Sequence, residues 1–292
     1  MKIGIVTRNR NSWGSTQLRE ILNKRNIPHS CFSFPRLIAR VGYKPYLKVG
    51  NTSIIEALDA LLVRPIGRGS LEELVFRMDM LYRLQRLGFC IINPPEAIEH
   101  CVDKYDILAI LEENGITVPR TSVTENVDEA LKAFDDLGRD IVVKPIFGSR
   151  GIGSTRVTDA EVASTIFNAI AFYHGVMYLQ EFVHHGFSDI RAFVVGNHVV
   201  AAMRRVAKSW KTNYSQGAHP EPITLEKALE DMAVKSAKLI ECKIAGVDIL
   251  ESPTGPLIVD INSQPGWRGL QSITRANIAE EIIDFVLSEL KK

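Results

Sequence analysis

What the chain lacks narrows its class first. Nowhere in its 292 residues do 18 apolar residues run together, so no membrane-spanning helix is expected. The N-terminus, MKIGIVTRNRN, reads as a strand and a polar turn and lacks the apolar stretch of a secretory signal. Cysteine is scarce. Cys31, Cys90, Cys101 and Cys242 are scattered with no CxxC spacing, which reads as reduced, mostly buried thiols in a cytoplasmic protein. Net charge is small as well, a formal +1, which argues against bulk polyanion binding but leaves local basic patches open. No internal repeat and no low-complexity tract is present. The chain is 46% apolar, ample for a well-buried core spread over two or three domains.

What is there changes character along the chain. Up to about residue 97, strands alternate with helices: KIGIVT, a helical stretch from Ser15 to Asn26, a strand near His29 to Phe34, ALLVRPIG, a helical Leu71 to Leu87, then FCIINPP. That order implies a parallel sheet covered on both faces. Beyond Pro94-Pro95 come a helix, a strand ending near Thr124, and two helices, NVDEALKAFDDLG and DAEVASTIFNAIAFY. From Met177 hairpins take over. SDIRAFVVGNHVVAAMRRVA turns at Gly196-Asn197, and GVDILESPTGPLIVDIN turns at Ser252 to Gly255. A polar loop runs from Lys208 to Pro222, a helix from Leu225 to Leu239, and an amphipathic helix closes the chain from Ile278 to Leu290. The fold class is α/β, with α+β character in the later part. Three units are expected, at 1–97, 98–183 and 184–292.

Three stretches carry chemistry. In VVKPIFGSRGIGSTRV, Lys144 ends a strand, and Gly148, Gly151 and Gly153 mark a turn. A P-loop would place its lysine after the glycines, and a dinucleotide fingerprint would open a helix there, so the segment reads as a hairpin with a glycine tip. In the last hairpin, Asp260 and Asn262 share a face by alternation. The turn sets Asp248 opposite Asp260 to within one register slip. Three oxygen ligands with no His or Cys nearby suit magnesium held together with a nucleotide's phosphates. The bland alternative is a set of solvated polar positions. The strand YLQEFV could offer backbone groups to an adenine edge at Gln180, Glu181, Phe182 and Val183. Asp189 and Arg191 share a face of the following strand, where a plain cross-strand ion pair is the rival reading. The set Arg191, Arg204, Arg205, Lys208 and Lys211 lies in balanced surroundings, which suits a phosphoryl clamp better than nucleic-acid binding.

In this order, Lys104, Lys144 before the glycine hairpin, QEFV, SDIRAFVVGNHVVAAMRR, GVDIL and VDINSQPG resemble the ATP-grasp ligases, over nearly the whole chain. The RimK-like glutamate ligases are the most similar branch, and within it those acting on a tetrahydromethanopterin-type pterin. Many relatives carry glutamate where this chain has Asp260. The resemblance implies an ATP-grasp fold behind an N-terminal parallel-sheet domain. It implies a ligase that activates a carboxylate acceptor as an acyl phosphate and joins it to L-glutamate, using ATP and two Mg2+ or Mn2+ ions. Lys104 and Lys144 would hold phosphates under a lid made by Gly148, Gly151 and Gly153. Gln180 to Val183 would hold adenine, and Asp189, beside Arg191, the ribose. Asp248, Asp260 and Asn262 would hold metal, and Arg204, Lys211 and Asn213 would stabilise the transferred phosphate. The acceptor could instead be a deazaflavin cofactor or a ribosomal protein tail, and a regulatory ATP-binding protein without turnover is the rival of another class. A homo-oligomer is expected, with no nucleic-acid or membrane partner.

Overall fold

The computed structural model describes residues 1–148 and 151–291; Ser149 and Arg150 at the glycine tip, and Lys292, lie outside the described residues. The first sheet is parallel, with strands Ile3–Val6, His29–Phe32, Ala60–Val63 and Cys90–Ile92 in the spatial order second, first, third, fourth. The strands Ile3–Val6 and Ala60–Val63 are buried at every position, as strands covered on both faces must be. Helix Trp13–Lys24 covers one face and helix Leu71–Arg86 the other, each started by a serine N-cap. Residues 37–53, unassigned by periodicity, form a small three-stranded antiparallel sheet beside this unit.

The second sheet is antiparallel and joins Thr121–Thr124, Ile141–Lys144, Thr155–Val157 and Met177–Glu181. Its inner face packs on helices Val127–Asp136 and Ala160–Phe172. The strand pair of the glycine hairpin forms as expected, Thr155 standing opposite Val143. The third and largest sheet holds five strands in the order His219–Pro222, His198–Val206, Ser188–Val195, Ile244–Ser252, Gly255–Asn262. The expected polar loop at 208–222 therefore ends in an edge strand.

Two features depart from the expected division at residue 98. Ala97 and helix Lys104–Glu113 belong to the core of the large sheet, where Ile107, Leu108 and Leu111 pack with Ile190, Val247 and Ile258. The closing helix Ile278–Glu289 packs on helix Trp13–Lys24 of the first unit, and Arg25 bonds to Glu280 and Asp284. Apolar stripes fixed these helices as amphipathic, but a stripe does not name its partner sheet. All four cysteines are free thiols, with Cys101 and Cys242 in sulfur contact at 3.5 Å.

Candidate active site

The large sheet splits one of its faces between two tasks. Along Ser188–Val195, the side chains of Phe193 and Val195 pack into the core shared with the first unit, while on the same face Asp189 lines an open cleft and Arg191, an expected site residue outside the cleft lining, reaches Asp248. Asp189 stands opposite Arg205, and Arg191 stands opposite Asp248. The four side chains form one buried chain of alternating charge. Arg205 Nε donates to Asp189 Oδ1 at 2.7 Å, and its terminal nitrogen donates to Asp189 Oδ2 and lies 2.9 Å from Asp248 Oδ1. Arg191 donates to Asp248 through Nε and, at 2.8 Å, through its terminal nitrogen. The arginine needs depth here. A Cβ on Gly246 would lie 2.7 Å from the Arg191 guanidinium, so the neighbouring strand gives up a side chain to admit it.

Two acids and two arginines cancel, which makes burial of all four tolerable. Burial raises the Asp248 carboxyl, but Arg191 and Arg205 outweigh it and hold the group below the usual carboxylate range. Asp260 is different. It stands opposite Asp248, yet among the described residues its carboxylate takes part in no hydrogen bond or ion pair. Burial, and then the charge of Asp248, push its pKa up. The countercharges that oppose this are Lys104, Arg191 and Lys144, and burial pushes the pKa values of both lysines down, Lys144 to about 8. Lys144 donates to Gln180 Oε1, and Lys104 Nζ donates to the carbonyls of Ile146 and Gly148 in the glycine turn.

The remaining cleft wall places Gln180, Glu181, Phe182 and Val183 beside Pro145, Gly148, Gly151 and Ile152. The Glu181 carboxylate turns away to Arg120, and the Phe182 ring lies under the Arg156 guanidinium, 3.6 Å from its centroid. Gly153 sits against Pro145 at the foot of the turn. Gly151 has φ +67, and a Cβ there would fall 2.4 Å from Asn213 Oδ1. The turn therefore rests on the loop that carries Lys211 and Asn213, both in the cleft wall.

One expected site residue sits elsewhere. Arg204 is on the opposite face of its strand, bonded to Glu251 and to Ser188 Oγ, and Arg205 occupies the cleft position instead. Asp189 lines the cleft, but its carboxylate is committed to Arg205. Asn262 stands on the cleft side opposite Gly246 with its Oδ1 accepting from Gln264 N at 2.8 Å. Thr212 and His185 also line the cleft and were not singled out in the sequence, and Trp210, which stands among the cations of KSWKTNYSQG, lines it without having been assigned a site role.

The oxygen set fits a divalent cation in part. The Asp260 carboxylate has no protein partner among the described residues, and Asp248 Oδ2 keeps a lone pair beyond its Arg191 bond, while Oδ1 meets both Arg191 and Arg205. Among the described residues no cluster of three His, Cys, Asp or Glu side chains could hold a metal unaided. That pattern suits magnesium, which takes one or two carboxylates and completes its shell with phosphates and water.

A family profile for the RimK-like ATP-grasp domain matches residues 101–286. The tetrahydromethanopterin:alpha-L-glutamate ligase of Methanococcus maripaludis is 34% identical over 297 residues, spanning 100% of both chains. The protein of the same name from Methanocaldococcus jannaschii is 33% identical over 298 residues, again across 100% of both. Among solved structures, the ATP-grasp ligase PsnB complexed with minimal precursor superposes with a TM-score of 0.80 at 20% identity, covering 98% of each chain. A RimK domain protein from Sphaerobacter thermophilus DSM 20745 gives 0.75 at 19% identity, covering 98% of this chain and 100% of that one. At such identities these two show the fold alone. The chain belongs to the RimK-like ATP-grasp family, and its fold is the ATP-grasp fold.

Proposed function

We propose that this RimK-like ATP-grasp enzyme joins L-glutamate to a carboxylate acceptor at the expense of ATP, and that the acceptor is a reduced pterin of the tetrahydromethanopterin type. The observation that carries the reading is the cleft in which Asp260, Lys104 and Lys144 lie beneath a glycine turn, in a chain alignable end to end with ligases of that name. The acceptor carboxylate attacks the γ-phosphorus of ATP, ADP leaves, and an acyl phosphate remains. The glutamate amine then attacks the acyl carbon and expels phosphate, losing a proton as the amide forms. No protein nucleophile is needed; positioning and charge neutralisation suffice.

In this reading Lys144 and Lys104 neutralise phosphate oxygens, and Lys104 exchanges turn carbonyls for phosphate. Gln180 to Val183 border the adenine, with Asp189 near the ribose. Arg205, in place of Arg204, meets the transferred phosphoryl group together with Lys211 and Asn213. The turn of Gly148, Gly151 and Gly153 keeps water from the acyl phosphate. Asp260, assisted by Asp248 and Asn262, would hold magnesium, which supplies charge neutralisation of the phosphates when bound; manganese has the same oxygen preference. PsnB has been solved with Mg and ADP, which supports the same pairing here.

The test is direct. Purified protein is incubated with ATP, magnesium, glutamate and tetrahydromethanopterin, and products are read by mass spectrometry. One ADP per glutamate incorporated is expected. ADP release without amide, or amide formation only on a deazaflavin or a peptide, overturns the acceptor assignment. A homo-oligomer is part of the same proposal. Leu71 and Val75, four apart on helix Leu71–Arg86, are exposed on one of its faces, which supports a second copy as partner, and sedimentation velocity tests it.

A further inference from the structure

At the carboxyl edge of the parallel sheet, the ends of the third and fourth strands meet the loop that follows Asn262. Asn93, after the fourth strand, shows how such a seam is normally closed. Its amide is 2% exposed and makes four hydrogen bonds, donating to Ile244 O and Ser263 O and accepting from Lys243 N and Ile244 N. Its capacity is full.

The neighbouring groups are not closed in this way. Arg64 ends the third strand and is 4% exposed. Only one of its five N–H groups has a hydrogen-bond acceptor among the described residues, the carbonyl of Pro265 at 2.7 Å. Its guanidinium lies 4.7 Å from the Trp267 ring centroid and pairs with no carboxylate among the described residues. Burial alone pushes its pKa down, to about 10. Gln264 accepts from Ile66 N at 3.3 Å through Oε1, but its Nε2 is buried with no acceptor. Trp267 is 1% exposed, and its Nε1 is likewise buried with no acceptor. Only three buried side-chain atoms among the described residues are orphaned, and two of them stand in this seam with an unpaired arginine. Unmet buried donors typically cost about 1–3 kcal/mol each, more for a charged group.

The surroundings have one sign. The segments 7–19, 64–71 and 262–279, which build the seam, contain no aspartate or glutamate, and Arg8, Arg10, Arg68 and Arg268 stand exposed along them. The sheet order also places its switch point between the first and third strands, whose ends are Thr7-Arg8 and Arg64. Ligands of open parallel sheets sit outside the carboxyl ends of the strands at such a point. Asn262, two residues before Gln264, ends the strand that carries Asp260, so the seam adjoins the cleft where the acyl phosphate would form.

We propose that Arg64, Gln264 and Trp267 form the receptor for a carboxylate of the amino-acid substrate, glutamate, and hold its amine toward the cleft. The proposal rests on the glutamate-ligase reading. A guanidinium, an amide N–H and an indole N–H supply at least three donors, which matches the acceptor capacity of one carboxylate. The exposed arginines would draw in the second carboxylate. An amine without a carboxylate would leave the buried donors unmet, which is how a hydrogen-bonding site rejects the wrong substrate.

Gln264→Glu tests the idea, because it places a carboxylate on the chain where the ligand's would lie. Three quantities are measured: Tm, the Kd for ATP, and the affinity for glutamate and glutarate with a non-hydrolysable ATP analogue bound. Affinity is followed by tryptophan fluorescence and, in turnover, by KM. We expect Tm unchanged or raised, ATP affinity unchanged, and a loss of about 100-fold or more in glutamate and glutarate affinity, since the receptor is filled and a like charge repels the ligand. Arg64→Lys should weaken glutamate in the same sense and serves if the first variant folds poorly. Glutamate affinity within about threefold of wild type in Gln264→Glu overturns the assignment. So does a wild-type fluorescence change elicited by the acceptor but not by glutamate or glutarate. If the ligase reading itself is wrong, wild type forms no glutamyl amide with any acceptor, whatever the variants bind.

Discussion

Replacing Arg205 by lysine keeps the charge and removes the fork, and the structure sets the size of the consequence. Arg205 is 4% exposed and contacts Asp189 through two nitrogens and Asp248 through one. A lysine ammonium on a flexible stem can approach one of these carboxylates well but cannot reproduce the planar pair. Two charge-assisted bonds are then lost, at about 1.5–3 kcal/mol each, and Asp189 or Asp248 is left underpaired in a buried site. The expected loss is roughly 3–5 kcal/mol, or about 6–10 °C in Tm for a chain of this size. Arg204→Lys is the control. Arg204 pairs with Glu251, and those side chains are 29% and 44% exposed, so the pair contributes under about 1 kcal/mol. Because Arg205 faces the cleft, its substitution should also lower kcat by on the order of 100-fold, with a smaller effect on KM for ATP. Scanning calorimetry and steady-state kinetics on both variants side by side decide the matter. A larger fall in Tm or kcat for Arg204→Lys would refute the assignment of faces.

Three further outcomes are expected. Gly151→Ala should slow turnover more than it weakens adenine-nucleotide binding, because φ +67 and the 2.4 Å approach to Asn213 strain the closed turn and not the base pocket; equal losses in single-turnover rate and nucleotide Kd would count against a lid. Asp260→Asn should abolish magnesium-dependent turnover while leaving Tm equal or higher, since it removes a buried carboxylate that has no protein partner; retained activity sinks the metal role. Lys144 has its folded pKa lowered to about 8 from 10.5, so its protonation opposes folding, fully below about pH 8 and progressively less up to about pH 10.5. Triphosphate binding should restore the proton, and calorimetry at pH 9 in buffers of different ionisation enthalpy should show less proton uptake in Lys144→Arg than in wild type; equal uptake would count against Lys144 as a phosphate ligand.

Much of the fold was legible because it rests on local patterns. Alternating strands and helices marked the parallel sheet, and Gly196-Asn197 and Ser252 to Gly255 marked both hairpin turns. Turn position brought Asp248 and Asp260 to within one register slip of each other, and a bulge supplies that slip. What was hidden depends on contacts distant in sequence. Helix Lys104–Glu113 is amphipathic whichever sheet it covers, and its assignment to the large sheet is made by Ile190, Val247 and Ile258, more than 75 residues away. The seam of Arg64, Gln264 and Trp267 joins positions about 200 apart and has no spacing signature. An arginine after a buried strand, with no acid in its segment, was the signal available.

Resemblance put Arg204 in the cleft, and what keeps it out is a break in register that recurs in both hairpins of the large sheet. A two-residue turn at Gly196-Asn197 pairs Val195 with His198, and an unbroken ladder from there would set Asp189 opposite Arg204. The ladder breaks between Phe193 and Val194: Phe193 pairs with Ala201 and Val194 with Val199, so Val200 is an extra residue and Asp189 meets Arg205. The last hairpin does the same. From Ser252 opposite Gly255, a regular ladder would set Asp248 opposite Val259, but the break after Asp248 makes Val259 the extra residue and brings Asp260 into place. Each bulge reverses which side chains face inward beyond it. Ile258 and Ile261 are thereby both buried in the core although three residues apart, and Val259 and Asp260 both line the cleft. Alternation counted from Ile258 would have sent Asp260 into the apolar core, where an unpaired carboxylate is costly. The bulges therefore place two charged residues of the cleft, one in each hairpin, while the turn-proximal halves of both keep the register that their turns dictate. A strand period of two reads such a hairpin correctly only on the near side of the extra residue.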